Sequence, residues 1–496
     1  MALKLGEERN MIDFKYETID SLHHKLVNKE TTAVELVETA YDNILANDAT
    51  IKAFITLNIE EAYKKAERID EEGIKPHEIL KGIPYAAKDN LLTKDLRTTG
   101  GSRMLEYYVP TYTATLIEKL NAAGMIMVGK ANLDEFAMGS NSQSSYFKTS
   151  INIWDEDANP GGSSGGSVGA VASGQVPVSL GTDTGGSIRQ PAAYQNLVGL
   201  KPTYGLVSRY GVIPSAPSLD TIGPITQTVK GNAQVLQAMA GYDENDATSF
   251  KEQVKDFTKD IEDGVEGLVI GLVDELEDER IDATIREAVI EAAEFYQSKG
   301  ATIKHISLPH LLYSSDTYNM LNNAEGSESL ARYDGVHYGL QHEAFEDEEE
   351  QIIRARTVGF GKEVKRRILN GMRITADENR KSYYEQAAKV RTLIKEDFDR
   401  AFETVDLILT PTIESTAPHK EDYTVRFMED NLEQAVNLAG LPALTVPAGF
   451  IDDMPFGIQL IGNMLDEPLL YRTGYTFEQA NDFYTKHPDM DFDYFK

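Results

Sequence analysis

Serine is a weak nucleophile at neutral pH. It works only beside a base, with donors placed for the oxyanion it creates. Three stretches of this 496-residue chain could supply those parts. In "LGTDTGGSIRQP", Leu180–Pro191, an apolar run gives way to a turn of small residues that carries Ser187. Glycines in such a turn let successive N–H groups point into one concavity. "GGSSGGS", residues 161–167, offers a second set of hydroxyls, and "GIPYAAKDNL", Gly82–Leu91, places Lys88 after a short apolar run. A lysine buried beside uncharged hydroxyls has its charged form disfavoured and can serve as an amine base. A histidine base is not indicated, because none of the nine histidines lies between His77 and His305. On the residues alone two readings stay open: a Ser/Lys hydrolase, or a structural glycine turn with a lysine on the surface.

Other chemistries fit less well. No Gly-Lys-Ser/Thr follows the glycines, so they are not a P-loop. The near match "GMIMVGKA", Gly124–Ala131, has a hydrophobic strand in its middle and Ala131 in place of the metal-binding hydroxyl. Two frames match Gly-x-Ser-x-Gly, at Gly162–Gly166 and Gly165–Gly169. A nucleophile elbow needs a buried strand just upstream, and here the polar "WDEDANP" stands instead. A flexible linker would not contain the apolar run Val176–Leu180 or the helix-like "SVGAVAS". There are no cysteines, hence no thiolate and no disulfide framework, and no HExxH or Cys/His spacing predicts a metal.

The elements that must hold these residues read as an alternation. Residues 1–75 are predicted helical. Thr32 and Glu35 form a capping box, and Val34, Val37, Tyr41, Ile44 and Leu45 share one helical face. From about Gly82 to Ile225 short strands are punctuated by glycine and proline, among them Ile126–Gly129 and Val176–Gly181. Leu268–Val273 reads as a buried strand, followed by an amphipathic helix that stops at Gly300. Residues 315–405 are mostly helical and charged, and strands return with "VDLILTP", "ALTVPAGF" and "FGIQLIG". The class predicted is α/β, a sheet layered by helices. No tandem repeat or linker divides the chain. One domain over 1–496 is expected, with a helical N-terminal region to about 75, a Gly/Ser-rich catalytic core at about 80–230, and a helical insertion with C-terminal strands at about 231–496.

The net charge is −32, from 48 Lys and Arg against 80 Asp and Glu. Such a surface repels phosphate backbones and argues against broad nucleic-acid binding by this chain. The acidic runs His342–Gln351 and Asp274–Arg280 are expected on exposed helix faces or loops. The first twenty residues have no apolar signal region and no run approaches a membrane span, so a cytoplasmic protein without membrane contact is expected.

Taken in order, "GIPYAAKDN" (82–90), "GGSSGGS" (161–167) and "GTDTGGSIRQPAA" (181–193) resemble the amidase signature family, with Lys88, Ser163 and Ser187 spaced 75 and 24 residues apart. The resemblance implies the amidase signature fold, a central mixed sheet covered by helices on both faces. It implies Ser187 as nucleophile, Ser163 as a bridging serine at a cis peptide, and Lys88 as base. Thr184, Gly185 and Gly186, with Ser187, would supply oxyanion N–H groups. Further blocks, including "GKANLDEFAMGS" (129–140), "VGLKPTYGLVSRYGVI" (198–213) and "VNLAGLPALTVPAG" (436–449), are similar to the glutaminase branch, the A subunits of tRNA-dependent amidotransferases. That likeness implies hydrolysis of glutamine through a Ser187 glutamyl-enzyme, with ammonia passed to a partner that amidates Glu-tRNA(Gln) and in some cases Asp-tRNA(Asn). It implies B and C subunits in a heterotrimer and tRNA held mainly by the partner. No cofactor is implied in this chain; ATP and Mg²⁺ would be used by the partner. It also implies Arg367 as ligand of the glutamine carboxylate, Asp430 as ligand of its ammonium and Tyr318 as a pocket wall. The chain departs from the branch at 152–155, 194–199, 215–220 and 322–332, and "EDNLEQAVN" lacks the usual Thr-Pro before Val-Asn. The alternative is a stand-alone amidase acting on another small amide.

Overall fold

The computed structural model describes residues 12–277, 279–341, 347–421 and 431–488. Its frame is one mixed sheet of eleven strands: β1 (Phe54–Leu57), β2 (Pro84–Lys88), β3 (Ile126–Ala131), β4 (Val178–Asp183), β5 (Val198–Lys201), β6 (Thr221–Thr226), β7 (Val269–Val273), β8 (Thr302–Ile306), β9 (Leu407–Pro411), β10 (Ala443–Ile451) and β11 (Met454–Gly462). Their spatial order is β1-β3-β2-β4-β6-β5-β10-β11-β9-β7-β8. Strand β2 runs parallel to both β3 and β4, and β7 runs parallel to β8 and β9. The pairings that join these two parallel groups, from β4 through β6, β5, β10 and β11 to β9, are antiparallel. Every residue of β2, β3, β4, β5, β6 and β9 is buried. Strands buried on alternate and intervening residues alike have both faces covered. Helices Gly165–Ala172, Arg189–Tyr194, Val229–Met239 and Glu467–Glu478 are among those that pack on the sheet. The class is α/β, as predicted.

Local structure follows the sequence with two corrections. The Thr32–Glu35 capping box opens the helix Ala33–Ile51, its side chains and backbones exchanging both hydrogen bonds. Val37, Tyr41 and Ile44 are buried on its inner face, but Leu45 is 54% exposed; Leu36 and Ala40 complete the face instead. The apolar stripe is therefore turned by about one residue from the one expected. The second correction is strand β1, which lies in a region read as helical. It is an edge strand of four residues paired only to β3, too short for its period to stand out between two helices. Gly300 sits just past the helix Ala283–Ser298 with φ +93°, the left-handed conformation its position demands. Lys130 of the "GMIMVGKA" stretch is buried in β3, where its amine donates to the Leu91 carbonyl and to Thr93 and Thr98, so it serves the core. Of the acidic run at 342–351, residues 342–346 lie outside the described ones, while Asp347, Glu348 and Glu349 are exposed where the helix Glu348–Gly359 begins.

A smaller apolar cluster lies apart from the main core. Phe136, Met138, Leu330, Phe360, Val364 and Ile368 are among its members. It fixes the helix Lys362–Thr375 and thereby the position of Arg367.

Candidate active site

Strands β2 and β4 are parallel neighbours, so their C-terminal ends lie at the same edge of the sheet. That places Lys88, the last residue of β2, beside the turn that follows Asp183, the last residue of β4. Open α/β sheets present ligands at such carboxyl ends. The Gly/Ser run arrives from a third direction and enters the helix Gly165–Ala172. Its glycines are needed for close approach: a Cβ at Gly162 would collide with the Asp134 carboxylate. The Gly162–Ser163 peptide is cis.

Lys88 is fully buried. Its Nζ donates to Ser163 Oγ at 2.7 Å, to Ser164 Oγ at 2.8 Å and to the Thr182 carbonyl at 3.2 Å. Burial pushes its pKa down to about 7, although Asp134, Asp183 and Asp220 pull the other way. A sizeable fraction of the amine is thus neutral at physiological pH.

The glycine turn that carries Ser187 is built around a buried ion pair that the sequence reading did not single out. Asp183 accepts from the N–H groups of Gly186 at 2.8 Å and Ile188 at 3.1 Å, and from Arg189 Nε and Nη2, each at 3.1 Å. Arg189 donates in turn to Gln459 Oε1 at 2.6 Å, to Asn437 Oδ1 and to the Glu433 carbonyl at 3.2 Å. Burial alone would raise the Asp183 pKa; the Arg189 guanidinium and the donors overcome it and hold the carboxyl well below the usual range. The available signal was that Asp183 and Arg189 are the only charged residues in "GTDTGGSIRQ", bracketing the glycines. Ser187 rides on this turn and is 8% exposed, at the wall of a pocket. Thr184 donates its hydroxyl to Asp220 at 2.7 Å, and burial lifts Asp220 to about 6 against that bond. Gly186, one of the expected oxyanion donors, has its N–H engaged by Asp183 in this conformation.

The pocket brings together most of the remaining expected residues. Tyr318, on the helix Ser314–Ala331, lies against Gly185, where a Cβ would overlap its ring. Arg367 also lines the pocket, its Nε donating to Glu363 at 2.8 Å. Burial pushes the Tyr318 hydroxyl up to about 12, opposed by the adjacent Arg367 guanidinium, which hydrogen-bonds to it. Asp430 lies outside the described residues. A residue not anticipated is Glu433, whose carboxylate packs on Gly186. Its only trace in the sequence was the break in pattern at "EDNLEQAVN". Among the described residues no group of three or more His, Asp or Glu is placed to hold a metal ion.

This arrangement provides a buried amine in contact with two serines, a third serine on a glycine turn, and a polar pocket beside it. The chain as a whole is similar to known proteins. A family model described as Amidase matches residues 35–471. The A subunit of glutamyl-tRNA(Gln) amidotransferase from Ligilactobacillus salivarius is 48% identical over 483 residues, covering 97% of this chain and 99% of the relative. The protein of the same name from Enterococcus faecalis is 47% identical over 476 residues, covering 95% and 97%. Among solved structures, the A subunit of glutamyl-tRNA(Gln) amidotransferase from Thermotoga maritima superposes with a TM-score of 0.80 at 37% identity, covering 96% of this chain and 98% of that one. The native peptide amidase of Stenotrophomonas maltophilia superposes with a TM-score of 0.80 at 29% identity, covering 96% and 99%.

Proposed function

The chain belongs to the amidase family, and from that premise we propose that it is the glutamine-hydrolysing subunit of a tRNA-dependent amidotransferase. One observation carries the hydrolytic reading: Lys88 is buried with its amine on two serine hydroxyls and a carbonyl rather than on a carboxylate. The name shared by near-full-length relatives supports the choice of glutamine and of Glu-tRNA(Gln).

In the reaction, neutral Lys88 accepts a proton through Ser163 as Ser187 Oγ attacks the side-chain carbonyl of glutamine. N–H groups among Thr184, Gly185 and Ser187, the expected donors other than Gly186, receive the oxyanion. The relay returns the proton to the departing nitrogen, which leaves as ammonia. Water, deprotonated through the same relay, then cleaves the glutamyl ester to glutamate and restores Ser187. Arg367 takes the substrate carboxylate by a charge-assisted hydrogen bond, Tyr318 walls the pocket, and Asp430 is the expected ligand of the ammonium. Ammonia passes to a partner subunit, which uses ATP and Mg²⁺ to amidate the tRNA-bound glutamate. B and C subunits complete the assembly, and tRNA is held mainly by the partner, in keeping with the charge of −32 on this chain. Among the described residues no helix is long and apolar enough to cross a membrane; a tRNA-dependent reaction belongs in the cytoplasm.

The test is ammonia release from glutamine by the purified chain, alone and then with B and C subunits, ATP and Glu-tRNA. Weak activity alone and strong stimulation in the assembly is the expected result. Ser187→Ala should remove glutamine-dependent amidation and leave the ammonia-dependent reaction intact. Robust turnover of simple amides without response to partners would instead establish a stand-alone amidase.

A further inference from the structure

The block "GKANLDEFAMGS" carries two adjacent acids, Asp134 and Glu135, that the proposed reaction does not use. Both are buried, and they hold different neighbours. Asp134 holds the serine run. Its N–H donates to the Ser163 carbonyl at 3.1 Å, and its carboxylate lies where a Cβ on Gly162 would be. The same carboxylate accepts from the N–H groups of Ser142 at 2.9 Å and Ser144 at 3.1 Å, which closes a loop that brings Gly139 to the wall of the pocket.

Glu135 holds the helix Lys362–Thr375. Its Oε2 accepts from the N–H of Gly361, the residue just before that helix, at 2.8 Å. Its Oε1 accepts from Ser102 Oγ at 2.5 Å, and that hydroxyl also lies 3.3 Å from the Gly359 carbonyl. Gly361 has no side chain with which to cap the helix, and a Cβ there would meet Glu135 Oε2 at 2.4 Å. The carboxylate is thus supplied from 226 residues away, at the helix end where negative charge is favoured. Phe136 and Met138, next along the loop, pack in the same apolar cluster as Val364 and Ile368. Further along the helix, Gly371 lies against the Asn323 carbonyl on the helix that bears Tyr318.

Arg367 comes six residues after Gly361, about 9 Å along the helix axis. With the far end of the helix packed at Gly371, a displacement of Gly361 tilts the helix and moves the Arg367 guanidinium within the pocket. Asp134 and Glu135 therefore set the separation between Ser163 and Arg367 across a single peptide bond.

We propose that Glu135 is a positioning residue for the substrate: by holding Gly361 it sets where Arg367 presents its guanidinium to the α-carboxylate of glutamine. The assignment rests on the glutaminase reading and deepens it. Glu135 does not line the pocket, so it acts through Arg367.

The experiment compares glutamine with 4-aminobutanamide, which is glutamine without its carboxylate, in the assembled enzyme. Glu135→Gln keeps the size of the side chain but offers one acceptor oxygen in place of two. It should raise KM for glutamine about 10-fold with kcat little changed, as expected for weakening one charge-assisted hydrogen bond. The kcat/KM for 4-aminobutanamide, which has no carboxylate for Arg367 to hold, should stay near the wild-type value. Glu135→Ala should act in the same direction and more strongly, and thermal melts of both variants check that the fold persists. With Arg367→Ala already in place, Glu135→Gln should add no further loss on glutamine. Equal losses on both substrates, a fall in kcat with KM unchanged, or additive losses in the double variant would each overturn the proposal and leave the glutaminase reading standing. An Arg367→Ala variant with an unchanged KM for glutamine would overturn the carboxylate role of Arg367, and this assignment with it. A wild-type assembly that hydrolyses other amides and not glutamine would overturn the glutaminase reading itself.

Discussion

Lys88 is the residue on which function and stability pull in opposite directions. Its pKa falls from the usual 10.5 to about 7 because the folded chain removes the amine from water. Between those values the unfolded chain binds more protons than the folded one, so stability rises with pH across the window; below about 7 the folded state bears the whole cost. The same shift supplies the base of the proposed reaction. The kcat/KM for amide hydrolysis should rise with pH as Lys88 loses its proton and level off above about 7. A flat profile from about pH 6 to pH 8 would rule out a neutral amine as the base. Lys88→Met should be inactive yet more stable, by an amount of the order of a few kcal/mol at pH 7, read as a higher thermal midpoint. A variant that is both inactive and less stable would mean that the Lys88 hydrogen bonds to Ser163 and Ser164 outweigh the cost of burial.

The glycine turn that carries Ser187 is the element that most depends on distant parts of the chain. Asp183 leaves β4, Arg189 opens the next helix, Asn437 comes from the helix Asn431–Ala439 and Gln459 from β11. Removing one partner of a buried pair strands the other charge. Asp183→Asn should cost about 3–5 kcal/mol in urea or thermal melts. The double variant Asp183→Asn, Arg189→Met should regain much of that stability but not activity, because the N–H groups of Gly186 and Ile188 lose the carboxylate that orders them. Additive losses in the double variant would show that the two side chains act independently. This element also marks the limit of what could be read from the sequence. On the residues alone a structural glycine turn stayed as open as a hydrolase; it was the resemblance to the amidase signature family that joined Lys88, Ser163 and Ser187, and the fold brings Lys88 onto Ser163 and sets Ser187 on the pocket wall. The capping box at Thr32 and the stop at Gly300 were legible because each is a local interaction within a few residues. Asp183 and Arg189 could be seen as charges, but their partners Asn437 and Gln459 are more than 240 residues away and no local pattern announces them. Glu433 was hidden for the same reason: its neighbour Gly186 is distant in sequence, and in isolation it is one acid in an acid-rich chain.

At the scale of the whole molecule the charge of −32 has to be reconciled with a centre made of buried ion pairs. The two are governed by different dielectrics. Asp183 and Arg189 are fully buried and lie beyond the reach of mobile ions, whereas pairs such as Lys64 with Glu60 or Lys395 with Asp399 sit in solvent. Exposed pairs contribute little, and 80 acidic side chains against 48 basic ones leave a surplus that repels itself across the surface. Salt should therefore stabilise this protein even though it weakens each surface ion pair. Raising NaCl from about 0.1 M to about 1 M shortens the screening distance from about 10 Å to about 3 Å. The thermal midpoint should rise steeply over the first few tenths molar and then flatten, while the pH dependence set by Lys88 stays in place because the amine is buried away from mobile ions. A midpoint that climbs linearly to the highest salt would point to exclusion of the salt from the surface rather than screening. A midpoint that falls would show that the surface pairs, not the surplus of like charge, dominate the electrostatics of the fold.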